Sequence, residues 1–82
     1  MREEKITIRH ATEVDAAALA RLAQLDGQRV PAGDSLLAYV GEELRAAVPL
    51  KGNAALADPF HLTRDVVELL RLRARQERGL AA

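Results

Sequence analysis

The chain contains no cysteine, so it carries no disulfide framework and no thiolate to act as nucleophile or metal ligand. Tryptophan is also absent, and Tyr39 and Phe60 are its only aromatic residues, so the core has to be aliphatic. Nor is there a net charge: 12 Lys and Arg balance 12 Asp and Glu. Residues 1–41 hold 5 basic and 6 acidic side chains and residues 42–82 hold 7 and 6, so neither half has a bulk field for nucleic acid or anionic lipid. No apolar run approaches the length of a membrane span. The opening Met1-Arg2-Glu3-Glu4-Lys5 leads into too few apolar residues for a signal peptide. A soluble cytoplasmic domain over residues 1–82 is expected. At this length folding buries roughly 60–65% of the unfolded chain's surface. Stability is then on the order of 4–12 kcal/mol, a margin that a partner subunit would change.

Glycine is missing where it would matter most. Residues 54–57 form a short apolar strand, and an amphipathic helix follows the turn Asp58-Pro59-Phe60-His61-Leu62-Thr63. Strand, turn and helix in this order often hold a phosphate, because glycines let successive backbone N–H groups crowd around the anion. This turn has no glycine, Pro59 lacks an N–H, and Asp58 places negative charge where the anion would sit.

Elsewhere the chain alternates clear elements. Lys5-Ile6-Thr7-Ile8-Arg9 has period two and predicts a strand. Thr12 predicts a helix N-cap, with Glu13 and Asp15 in the first turn and Asp15 able to complete a capping box. Val14, Ala18, Leu22 and Leu25, widened by Leu19, form the expected buried stripe, and Gly27 the stop. After a loop with Pro31 and Gly33, residues 35–40 and 44–50 predict two strands joined by Gly41-Glu42-Glu43. Leu44, Ala46, Val48 and Leu50 are expected on one face of the second strand, and Pro49 places that strand's end at an edge or bulge. Lys51-Gly52-Asn53 predicts a turn into the short strand at 54–57. The last helix is expected from Thr63 as N-cap to Arg78, burying Val66, Val67, Leu69, Leu70 and Ala74, with Gly79 as stop and 79–82 as a disordered tail. The fold class is α+β: β-α-β-β-β-α, a small, mostly antiparallel sheet packed against two helices.

The run from Ile6 to Leu22, with Ile8-Arg9-His10-Ala11 and Asp15-Ala16-Ala17-Ala18-Leu19, resembles the opening strand and helix of the GNAT family of N-acetyltransferases. Leu37 to Val48 is similar to that family's hairpin. The resemblance covers residues 5–50 and reaches the last strand and helix by position only. It implies a mixed sheet flanked by helices, with acetyl-coenzyme A held where the fourth and fifth strands splay apart and its pyrophosphate on a glycine-bearing loop. That loop position holds Asp58 to Thr63 here, with no matching glycine, and the chain ends at Ala82 before a fifth strand. The resemblance therefore implies the first half of the family's fold, carries over no catalytic or cofactor-binding residue, and argues against activity.

Four groups of side chains are candidates for function. His10 reads as a turn histidine, although a general base at that place is conceivable. Asp58, Pro59, Phe60 and His61 read as a packed turn in which Asp58 caps, Phe60 staples the helix to the sheet and His61 is solvated. The other reading pairs Asp58 with His61 as a tuned proton carrier. Arg71, Arg75 and Arg78, with Arg73, form the densest basic cluster, either a solvated helix face or a contact surface for an acidic partner, phosphate or RNA. Last, a sheet this small ends in unpaired backbone, which favours a homo-oligomer or another protein as partner, with Leu37, Leu72 or Leu80 buried in the contact. The function these features imply is protein–protein contact or self-association by a non-catalytic acetyltransferase-like domain. The alternative is an acyl-coenzyme A-dependent N-acyltransferase completed by a second chain, and a nucleic-acid accessory is a third reading.

Overall fold

The computed structural model describes residues 5–51, 54–61 and 63–81. Strand β1 spans Ile6–His10, helix α1 Ala16–Leu25 after a 3-10 turn at Glu13–Asp15, β2 Ser35–Val40, β3 Glu43–Pro49, β4 Leu56–Ala57 and helix α2 Arg64–Ala81. The four strands lie in the order β1-β2-β3-β4 with every pair antiparallel. The expected β-α-β-β-β-α order and small sheet are therefore present. The predicted turn residues Gly52 and Asn53 lie outside the described residues.

The sheet separates two aliphatic cores, one under each helix. Leu19, Leu22 and Ala23 of α1 pack on Leu37, Leu44, Ala47 and Leu56. Leu70 and Ala74 of α2 pack on Leu36, Ala38, Ala46 and Val48 on the other face. Alternation along β2 produces this split, since successive strand residues point to opposite faces and both faces are covered. Five leucines, at 22, 36, 37, 56 and 70, are at most 1% exposed. Each contributes about 1.5–3 kcal/mol of burial, which makes up for the missing aromatics.

Several expected positions change, each for a local reason. Leu44 does not share a face with Ala46. Ala38 pairs with Ala46 while its neighbour Tyr39 pairs with Leu44, so Arg45 is an extra residue in β3. This β-bulge puts Leu44 in the α1 core and leaves Ala46 in the α2 core. Val14 is 85% exposed because it sits in the 3-10 turn, whose three-residue period takes it out of phase with the stripe. Leu25, the last residue of α1, is exposed, and Ala23 takes its place in the core. Leu69 is exposed on α2, leaving Leu70 and Ala74 as the buried contacts. Gly79 does not stop α2, which continues to Ala81: a glycine permits a left-handed exit but does not impose one. Residues 79–81, read as a tail, are thus the helix's last turn, and Ala82 lies outside the described residues.

Two turns keep their predicted glycines. Gly27 has φ +67° after α1, and Gly41 has φ +62° in the two-residue β2–β3 turn, the geometry of a type II′ hairpin.

Candidate functional site

Two buried carboxylates organise the polar chemistry of the α1 side. Asp15 is 1% exposed at the start of α1. Its Oδ2 accepts the Thr12 backbone N–H at 2.7 Å, the capping-box arm expected from sequence. Arg9 grips both its oxygens, Nη1 at 2.8 Å on Oδ2 and Nη2 on Oδ1, and the Tyr39 hydroxyl donates to Oδ1 at 2.9 Å. Arg9 also lies over the Tyr39 ring, 5.0 Å from its centroid. The Arg9 hydrogen bonds hold the Asp15 carboxyl well below the usual carboxylate range, against the burial that would raise it, with Thr12 and Tyr39 adding to the effect. Burial, and then the hydrogen bond to Asp15, push the Tyr39 hydroxyl up.

Asp58, 3% exposed, is the second node and lies just after β4. Its Oδ1 accepts the Phe60 N–H at 2.9 Å, and its Oδ2 accepts Arg45 Nη1 at 2.8 Å. His61 Nδ1 stands 3.1 Å from the same Oδ2; a carboxylate only accepts, so that ring nitrogen carries the proton. The Phe60 amide first, then Arg45 and His61, hold the Asp58 carboxyl below its ordinary value despite burial. The β3 bulge supplies Arg45, placing it beside β4, where its carbonyl also takes the Asp58 N–H at 2.9 Å.

The Asp58–His61 turn thus combines parts of both sequence readings. Asp58 does cap the turn, but His61 is half-exposed and hydrogen-bonded to Asp58 rather than simply solvated. The packing role expected of Phe60 is overturned, since it is 75% exposed. Its N–H is drawn inward to Asp58, which sends the side chain outward. Pro59 is exposed in the same turn, and Leu62 lies outside the described residues. No sequence signal identified Arg9 and Tyr39 as partners of Asp15, although Thr7 opposite Tyr39 makes Arg9 its diagonal neighbour across the β1–β2 ladder.

Between the two nodes a cleft of about 270 Å³ opens, walled by Leu22, Leu25 and Leu44, with Arg21, Glu43, Arg45 and Asp58 at its polar side. Every fully buried side-chain nitrogen or oxygen among the described residues already has a partner. The Phe60 N–H and Arg45, donors just ahead of α2, converge on a carboxylate of the chain itself. Among the described residues no group of three His, Asp or Glu has metal-site geometry.

The remaining candidates lie apart from the cleft. His10 is exposed and contacts Glu77 of α2, Nε2 to Oε1 at 2.9 Å. Arg71, Arg73, Arg75 and Arg78 are all exposed along α2. Leu37, one of the residues expected at a dimer contact, is wholly buried in the α1 core, while Leu72 is 44% exposed. The side chain of Leu80 lies outside the described residues. No helix among the described residues is long and apolar enough to cross a membrane. Comparison with protein-family models, with curated proteins and with solved structures finds no match to this chain.

Proposed function

We propose that this chain is a non-catalytic binding module on an acetyltransferase-like frame. It acts in the cytoplasm by pairing the outer edge of β1 with a strand of a second polypeptide, in the first instance another copy of itself. The observation that carries this reading is the state of the β1 backbone. Lys5 C=O accepts from Gly41 at 2.8 Å and the Ala11 N–H donates to Ser35 at 2.9 Å, so the odd-numbered residues from 5 to 11 face β2. Ile6, Ile8 and His10 therefore point their N–H and C=O groups away from the sheet. The His10 carbonyl takes Arg9 Nη1 at 3.2 Å, but among the described residues nothing takes those of Ile6 and Ile8. Helices cover both faces of the sheet, so a partner strand adds laterally. β1 has five residues with neither proline nor bulge, and Ile6 is half-exposed beside it.

The acetyltransferase-like part of the reading is supported by the strand and helix order, by the helices lying on opposite faces and by the opening residues. The non-catalytic part is supported by Asp58, which engages the groups an anionic cofactor would need. Sedimentation equilibrium over rising concentration tests the proposal. The wild-type chain is expected to dimerise, and Ile6→Pro, which deletes an outward N–H and leaves the β1–β2 bonds intact, is expected to weaken the dimer at least tenfold. A monomer at every concentration, or a dimer indifferent to Ile6→Pro, refutes it. Heat on titration with millimolar acetyl-coenzyme A would replace it with the acyltransferase reading.

A further inference from the structure

At the opposite edge of the sheet a side chain takes the outward amide of β4. β4 has two residues, and its register with β3 sets Ala57 opposite Ala46 and Leu56 opposite Ala47. Asp58 donates its N–H to the Arg45 carbonyl, so Leu56 and Asp58 face β3 while Ala57 faces outward. The one outward amide of this edge is occupied: Ala57 N–H donates to Asp26 Oδ2 at 3.2 Å. Asp26 is the residue after α1, and its position is set by that helix's end. Its own N–H bonds to Leu22 C=O at 3.0 Å, Gly27 takes φ +67°, and Gln28 N–H returns to Ala23 C=O at 2.9 Å. Gln28 Nε2 adds a bond to the same Asp26 oxygen at 3.1 Å.

We infer that Asp26 is an edge plug: its carboxylate stands in for the carbonyl of a fifth strand and keeps the β4 edge from pairing with a second copy of this chain. The occupant is set by the geometry. Ala57 is the only outward residue of β4, and a two-fold axis would place it opposite Ala57 of another copy, where each N–H meets the other's C=O. The plug takes the donor that such a pairing needs. A chain with one open edge forms a closed pair, whereas a chain with two open edges can add copies without limit. Asp26 thus separates a finite assembly from an open-ended one.

The test is run in an Ile6→Pro background, so that β1 contributes nothing and the outcome is independent of the proposal for that edge. Asp26→Ala is expected to speed amide exchange at Ala57 at least tenfold and to produce concentration-dependent association in sedimentation velocity. Asp26→Asn, whose amide oxygen still accepts, is expected to match the parent in both readouts. Adding Ala57→Pro to Asp26→Ala removes the donor itself and is expected to abolish the association. Asp26→Ser, too short to span the gap, serves in place of alanine if alanine unfolds the chain. Unchanged Ala57 exchange, absence of association in both Asp26→Ala and Asp26→Ser, or association that survives Ala57→Pro would each overturn the inference.

Discussion

Replacing Asp15 with alanine should destabilise the fold more than any single surface change, and the size of the effect follows from its partners. The variant leaves the Thr12 amide and the Tyr39 hydroxyl without an acceptor, about 1 kcal/mol each or somewhat more. Arg9 is 41% exposed and recovers water, so its loss is discounted. A small void at a site 1% exposed adds to the penalty. Together these come to about 2–4 kcal/mol, a large part of the stability of a chain this size, and about 10–25 °C in melting temperature. Asp15→Asn keeps the volume, removes the charge and turns one acceptor oxygen into a donor, so only the pH-dependent part of its cost reports the charge. The folded carboxyl is held below its unfolded value, so its contribution is complete above about pH 5 and is lost as pH falls through the unfolded value toward the folded one. The stability gap between wild type and Asp15→Asn, measured by urea denaturation under circular dichroism, should therefore be constant from pH 8 to about pH 5 and narrow below it. A gap that ignores pH, or an alanine variant losing under about 1 kcal/mol, would refute this account of the node.

The other predictions concern the β4–α2 turn. Asp58→Ala should cost about 2–3 kcal/mol, since it strands the Phe60 amide and removes the partner of Arg45, and faster amide exchange at Phe60 would report the change directly. Phe60→Ser should stay within about 0.5 kcal/mol of wild type in the same denaturation assay, because the ring is 75% exposed; a loss above about 1.5 kcal/mol would restore the packing role.

The legible parts of the fold were those set by local periodicity. Two-residue alternation at Ile6 and Ile8, the capping pair Thr12 and Asp15, and the hairpin glycine Gly41 each specify structure within a few residues. The illegible parts depend on contacts across the sheet. Nothing in Glu43 to Pro49 marks Arg45 as an inserted residue; only pairing with β2 on one side and β4 on the other identifies it. Asp26 looks like a residue at a helix end until β4 is placed beside it. Asp15 was legible as a cap but not as the centre of a four-residue node, because Tyr39 is 24 positions away. For Phe60, hydrophobicity suggested burial, and the Asp58 side chain decided otherwise by claiming the backbone next to it.

Two separate cores have a consequence for synthesis. α2 follows the whole sheet in the chain, so Leu36, Ala38, Ala46 and Val48 have no cover on their side until Leu70 and Ala74 have left the ribosome. At about 5–20 residues per second, the stretch from β4 through α2 takes on the order of one to five seconds to emerge. During that interval any α1-covered sheet that forms would present a bare aliphatic face. Such a surface is the kind a chaperone binds, and α2 is the segment that ends its exposure.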